Sequence, residues 1–263
     1  MNHQSTFGFI GGGRVTYFLL KALSEKNALP EKVIVSDPNE TAQAKVQAIS
    51  TDRIQTVNDN QLAAQAEIVF LSVHPPVIKD VIEPIKTGIK PTTILISLAP
   101  VFKIEKLSAL LGGFNRIVRM IPNAPSIIHQ GYNPVVFGSG ITVDEKSWLM
   151  KLFSHWGEAP EVAESKLEAY AIVTAMGPTY FWPQWVKLEA LGKSFGLDDA
   201  ELKTGLAAML TGAVALMYRS DLSPQQVMDL IPVYPMKDHE AKISELFEAA
   251  LVPLHQKLSG IAK

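Results

Sequence analysis

The sequence predicts an α/β protein, a doubly wound parallel sheet followed by an all-helical domain. Three observations carry that prediction. Up to about Glu164, short β-rich apolar runs alternate with stretches of helical periodicity, as helices packed on both faces of a parallel sheet require. The first run stops at Gly11-Gly12-Gly13, which then opens a helix. Beyond Glu164 the β-branched runs thin out and long Ala/Leu/Met-rich stretches take over. The division places a sheet domain at residues 1–164 and a helical domain at 165–263.

The candidate strands, in order, are Phe7-Ile10, Val33-Ser36, a weaker one near Arg53-Val57, Ile68-Ser72, Ile94-Ser97 and Ile117-Met120. Between the first two, Val15, Phe18, Leu19, Ala22 and Leu23 recur at i, i+3, i+4, i+7 and i+8, which lays one apolar stripe along a helix. This is a βαβ unit with an expected right-handed crossover. In the second domain, Leu202-Tyr218 and Ala241-Leu258 are the longest helical candidates, punctuated by Gly177-Pro178 and Ser223-Pro224. Leu206, Met209, Leu210, Ala213, Val214, Leu216 and Met217 cover more than one helix face, so the first of these helices needs burial on several sides. A dimer interface or a central position in the core would supply it.

Composition narrows the function. The chain has 263 residues, 47% of them hydrophobic, and a net charge of -2, so no global field would gather a nucleic acid. Cysteine is absent, which removes disulfides, thiolate nucleophiles and Cys-ligated metals. The six histidines include no i, i+4 pair, and no metal site is expected. The first apolar run, Phe7-Ile10, is too short for an export signal or a membrane span, so the expected address is cytoplasmic, with no membrane partner.

The glycine turn carries the first chemistry. Gly11-x-Gly13-x-x-Thr16 follows a strand and opens a helix, where the Rossmann dinucleotide fingerprint has G-x-G-x-x-G/A. Gly11 permits the sharp turn, and Gly13 lets the backbone approach a pyrophosphate held by the free N–H groups at the helix start. Arg14 and Val15 complete the turn. Thr16 is larger than the usual third small residue, so slightly looser helix packing is expected. Asp37, after the second strand, stands where a carboxylate would accept bonds from an adenine ribose. In that role it favours NAD(H) and repels a 2'-phosphate, with Arg14 offsetting the repulsion; followed by Pro38, it reads equally as a turn initiator.

Further segments bring a family into view. Phe70-Leu71-Ser72-Val73-His74-Pro75, Ile96-Ser97-Leu98-Ala99-Pro100 and Val118-Arg119-Met120-Ile121-Pro122-Asn123-Ala124-Pro125 occur in the order and spacing of the pyrroline-5-carboxylate reductases. Glu164 and Gly177-Pro178-Thr179-Tyr180 resemble that family's glutamate and its G-S-G-P-A-Y helix start. The resemblance spans nearly the whole chain. It implies NAD or NADP as cofactor, a small-molecule substrate and a helical domain interlocked with a second subunit. It further implies an active site between the cofactor domain and the helices of the paired chain, where a hydride passes to a cyclic imine. Cofactor contacts are then expected from Gly11, Gly13, Arg14, Val15 and Asp37, from Val73, His74 and Pro75, and from Ala99 and Asn123. His74 stands where the family usually has Lys; it would relay a proton to the reduced nitrogen or merely line the cofactor groove.

The departures gather where the substrate would lie. Met176 replaces the family's serine beside Gly177 and Thr179, and the loop rich in glycine and hydroxyl residues becomes Tyr234-Pro235-Met236-Lys237-Asp238-His239. A buried carboxylate stripped of donors is strongly unfavourable, so another imine or carbonyl substrate is expected. Lys237 would neutralise an anionic group there, as a catalytic or substrate-binding residue, or belong to a solvated loop. Two rival readings stand beside the reductase: a deazaflavin (F420)-dependent NADP oxidoreductase, and a non-catalytic dinucleotide-binding sensor or scaffold.

Overall fold

The computed structural model describes residues 5–260. Seven strands form one sheet in the order β3-β2-β1-β4-β5-β6-β8. These are β1 (Thr6–Ile10), β2 (Lys32–Ser36), β3 (Ile54–Val57), β4 (Ile68–Leu71), β5 (Ile94–Ser97), β6 (Ile117–Met120) and β8 (Val135–Phe137), with β7 (Gly131–Tyr132) pairing β9 (Gly157–Glu158) separately. The first six pair in parallel, and β8 adds antiparallel to β6. The order reverses between β1 and β4, which opens a crevice at the carboxyl ends of those two strands.

Strand residues alternate between the faces, and each face has its own core. On one, Phe7, Phe9, Val35 and Phe70 pack under α1 (Arg14–Glu25) and α6 (Val143–Phe153). Trp156 closes this core: its ring lies edge-on to Phe70 and stacks on Phe153, and its Nε1 donates to the Leu19 carbonyl at 3.0 Å. On the other face, Ile10, Val69, Leu71, Leu95 and Ile117 pack against α3 (Asn60–Ala64), α4 (Ile78–Ile85) and α5 (Ile104–Leu110). Between β2 and β3 runs α2 (Glu40–Gln47), capped by the Asn39 side chain, which accepts from the Ala42 N–H.

The chain forms two compact units, one made of residues up to Met176 with the C-terminal residues from His255, the other of Gly177–Leu254. Residues 165–176, grouped with the helices on sequence texture, belong to the first unit. Leu167 and Ala171 of this segment are buried against Ile121 and Val136, and α7 (Leu167–Tyr170) runs into a π-helical turn at Ala171–Ala175.

The second unit contains α8 (Pro178–Ser194), α9 (Asp199–Arg219), α10 (Pro224–Met228) and most of α11 (Glu240–Leu258). Only Gly177, Gly192 and Leu202 are buried in it. Phe181, Trp185, Phe195, Val214 and Tyr218 are exposed, so this unit lacks a hydrophobic core within the chain. By length and composition α9 would also suffice to cross a membrane, and 6% of its apolar window is buried.

Candidate active site at the carboxyl edge of the sheet

The glycine turn is built by contacts that leave no room for a side chain at its first position. Gly11 has φ +103°, and a Cβ there would lie 2.7 Å from the Ser72 carbonyl oxygen. Its N–H donates to the Ser36 carbonyl at 2.7 Å, so the turn is fastened to both neighbouring strands. Gly13, the N-cap of α1, differs: φ is -71°, and nothing lies within 4 Å of the position a Cβ would take. The amino end of α1 has no side-chain cap and no acid in its first turn. Partial positive charge and unfilled N–H groups therefore face open space, the requirement for an anion site. Thr16 packs more tightly than expected. It is fully buried, and its hydroxyl donates to the Gly11 carbonyl at 2.5 Å, so the extra bulk secures the turn.

Asp37 is occupied by backbone. Its Oδ2 accepts from the Gly12 N–H at 2.6 Å and its Oδ1 from the Asn39 N–H at 2.8 Å. Beside it a groove of ≈ 700 Å³ runs between α1 and α2, lined among others by Gly13, Arg14, Tyr17, Thr41 and Lys45. Asp37 is not among its lining residues. Neither Arg14 nor Lys45 forms an ion pair with a described residue, so the groove presents two uncompensated cations. Lys45 was not among the sequence candidates; its four-residue spacing from Thr41 on α2 was the available signal.

Val73, His74 and Pro75 follow β4 on the same sheet edge. Val73 Cγ1 would lie 3.1 Å from a Cβ on Gly11, and His74 is exposed at the start of the turn Pro75–Val77. Ala99 is buried two residues beyond β5. Asn123 spends its amide inside the unit: Oδ1 accepts from the Tyr132 N–H at 3.0 Å, and Nδ2 donates to the Thr174 carbonyl at 3.4 Å. This fastens the loop after β6 to the π-helical turn that precedes Met176. Burial, reinforced by a hydrogen bond with Tyr170, pushes the Tyr132 phenol above its ordinary pKa.

Below these loops lies a buried charge cluster. Arg119 of β6 is fully buried; its Nη1 donates to Glu164 Oε1 at 2.9 Å and its Nη2 to Glu168 Oε1 at 2.6 Å. Glu164 is 28% exposed and Glu168 5%. Glu168 was missed in the sequence. A lone Arg in the apolar run Ile117-Met120 was the signal that a buried acid must exist.

Gly177, Thr179 and Lys237 belong to the second unit. Thr179 is exposed in the first turn of α8, and Lys237 is exposed in a short 3-10 turn, Lys237–His239, at the altered loop.

Residues 6–100 match the family described as NADP oxidoreductase, coenzyme F420-dependent. Over most of its length the chain is similar to pyrroline-5-carboxylate reductases. It is 27% identical to that of Pisum sativum, covering 87% of this chain and 83% of the relative, and 25% identical to that of Corynebacterium melassecola, covering 85% and 84%. Among solved structures, the pyrroline carboxylate reductase of Plasmodium falciparum, with NADP bound, superposes with a TM-score of 0.80 at 20% identity, covering 99% of this chain and 97% of the other. The enzyme from Coxiella burnetii gives 0.74 at 23%, with both chains fully covered. Glycine turn, sheet order and end-to-end similarity agree: the chain shares the fold of the pyrroline-5-carboxylate reductases and is similar to them in sequence over most of its length.

Proposed function

We propose that this chain is an NAD(P)H-dependent reductase of a small cyclic imine other than pyrroline-5-carboxylate. The observation that carries the reading is the uncapped amino end of α1 at an open Gly13, with a groove alongside. These residues fit a dinucleotide: Gly13 and the first turn of α1 would hold its pyrophosphate, and the α1–α2 groove its adenosine half. The bound nicotinamide supplies the hydride. The chain's own contribution is to orient the imine and deliver a proton, and His74, exposed at the carboxyl edge of β4, is suited to relay it.

NADP(H) is the favoured form. Both Asp37 oxygens already receive backbone N–H groups, while Arg14 and Lys45 offer two cations to a 2'-phosphate. For the substrate, the 234–239 loop lacks the glycine, serine and threonine residues that would surround a carboxylate, which favours an imine without one. A second copy of the chain is the proposed cover for the apolar faces of α8, α9 and α11, making the protein a homodimer or larger homo-oligomer; this burial also accounts for the apolar α9 without a membrane. The proposed address is cytoplasmic.

The test is NADPH oxidation over a panel of cyclic imines with and without a carboxylate. Faster turnover of an imine lacking the carboxylate is expected. Pyrroline-5-carboxylate as the best substrate would reject the specificity claim, and nucleotide binding with no turnover on any imine would reject the enzyme.

A further inference from the structure

Val101 is β-branched, yet its φ is +81°, a conformation that L residues with branched side chains rarely adopt. Such strain persists only where the surroundings enforce it. Here they do. The Val101 N–H donates to Glu168 Oε1 at 3.3 Å, and three residues on, the Ile104 N–H donates to Glu164 Oε1 at 2.7 Å. Both carboxylates are in turn gripped by the two arms of Arg119. One buried guanidinium on β6 thus fixes two points of the loop that follows β5.

The strained residue is half-buried, packed on one side against the core of its sheet face and open on the other. Val101 and Glu168 border a recess of ≈ 450 Å³ that Lys103 and Lys106 also line. The loop leaves the carboxyl edge of β5, between the strand that delivers His74 and the strand that carries Arg119. Sheets of this kind bind their ligands along that edge.

We propose that Glu168, oriented by Arg119, is a positioning residue that holds the Leu98–Ile104 loop in a strained shape, and that this shape sets the geometry of hydride transfer. Val101 is where the strain is stored. The proposal rests on the reductase reading above.

The test compares Val101→Gly with Val101→Ala in the full-length protein. Both remove the branched side chain, and only glycine relaxes the backbone. At an ordinary position glycine is the less stable of the two; at a positive φ the order inverts. Val101→Gly is therefore expected to melt about 2–4 °C above Val101→Ala, with faster exchange of the amide protons at Val101 and Ile104. Activity should run the other way: kcat with NADPH at least fivefold lower in Val101→Gly than in Val101→Ala, with the KM for NADPH within twofold. A lower melting temperature for the glycine variant, or equal kcat in the two, would overturn the proposal. The melting and exchange measurements need no turnover. Wild-type protein inactive on every imine would instead remove the reductase reading, and the positioning role with it.

Discussion

Gly11 and Gly13 make opposite demands, and substituting alanine at each separates folding from binding. Alanine at 11 must hold a positive φ, at about 1–2 kcal/mol. Its methyl would also press to 2.7 Å of the Ser72 carbonyl, a backbone atom that yields only with a shift of β4. Overpacking of that kind costs about 1–3 kcal/mol, so Gly11→Ala should lose about 2–5 kcal/mol in all. At 13 the backbone is ordinary and the space open, so Gly13→Ala should stay within about 1 kcal/mol of the parent, the difference being that between glycine and alanine at an N-cap. That methyl would nevertheless stand where the pyrophosphate needs the backbone, and NADPH affinity should fall at least tenfold, about 1.4 kcal/mol. Chemical denaturation gives the first quantity and calorimetric titration with NADPH the second. Unaltered NADPH binding by Gly13→Ala would refute the placement of the diphosphate, and parental stability in Gly11→Ala would refute the steric argument.

Other expectations follow from the charged groups. Arg119→Met would leave Glu168 buried without its cation, and a loss of about 3–5 kcal/mol is expected; restoring Arg119→Met with Glu168→Gln should recover part of it, and no recovery would show that the two do not interact. Replacing Arg14 and Lys45 together by alanine should lower kcat/KM for NADPH at least tenfold while changing that for NADH less than threefold, and an unchanged ratio would remove the 2'-phosphate assignment. At Glu145, burial alone would raise the carboxyl pKa, but hydrogen bonds from Arg116 and from the Thr142 backbone and hydroxyl outweigh it and hold it below the usual value of 4.5. A carboxyl depressed in the folded state stabilises above its unfolded pKa, and that stability is lost as pH falls through the folded value. Glu145→Gln should thus melt below the parent at neutral pH, with the gap closing in acid; a gap independent of pH would contradict this.

The parallel strands were legible because each is a short apolar run bounded by turn residues, and buried strands of a doubly wound sheet must read that way. β8 was not, since Val135-Val136-Phe137 is only three residues long and pairs antiparallel across a loop. The glycine turn was visible as a motif, but its two glycines look alike in sequence. Only the packing of Ser72 against Gly11, distant in the chain, tells them apart. Asp37 stayed ambiguous for a similar reason, because the backbone groups that occupy its carboxylate lie on either side of a turn whose closure depends on β1 and β2 pairing. The strain at Val101 left no local trace, being imposed by Glu168 from 67 residues away.

The most direct test of where the cofactor sits is to follow backbone amide resonances by NMR as NADPH is added to the isotopically labelled protein. The amides of Gly13, Arg14 and Val15 should shift in a saturable way, while that of Lys32, at the amino end of β2, should hold its position. If Gly13 to Val15 stay unmoved at saturating nucleotide, the diphosphate is not at the mouth of α1 and the account fails.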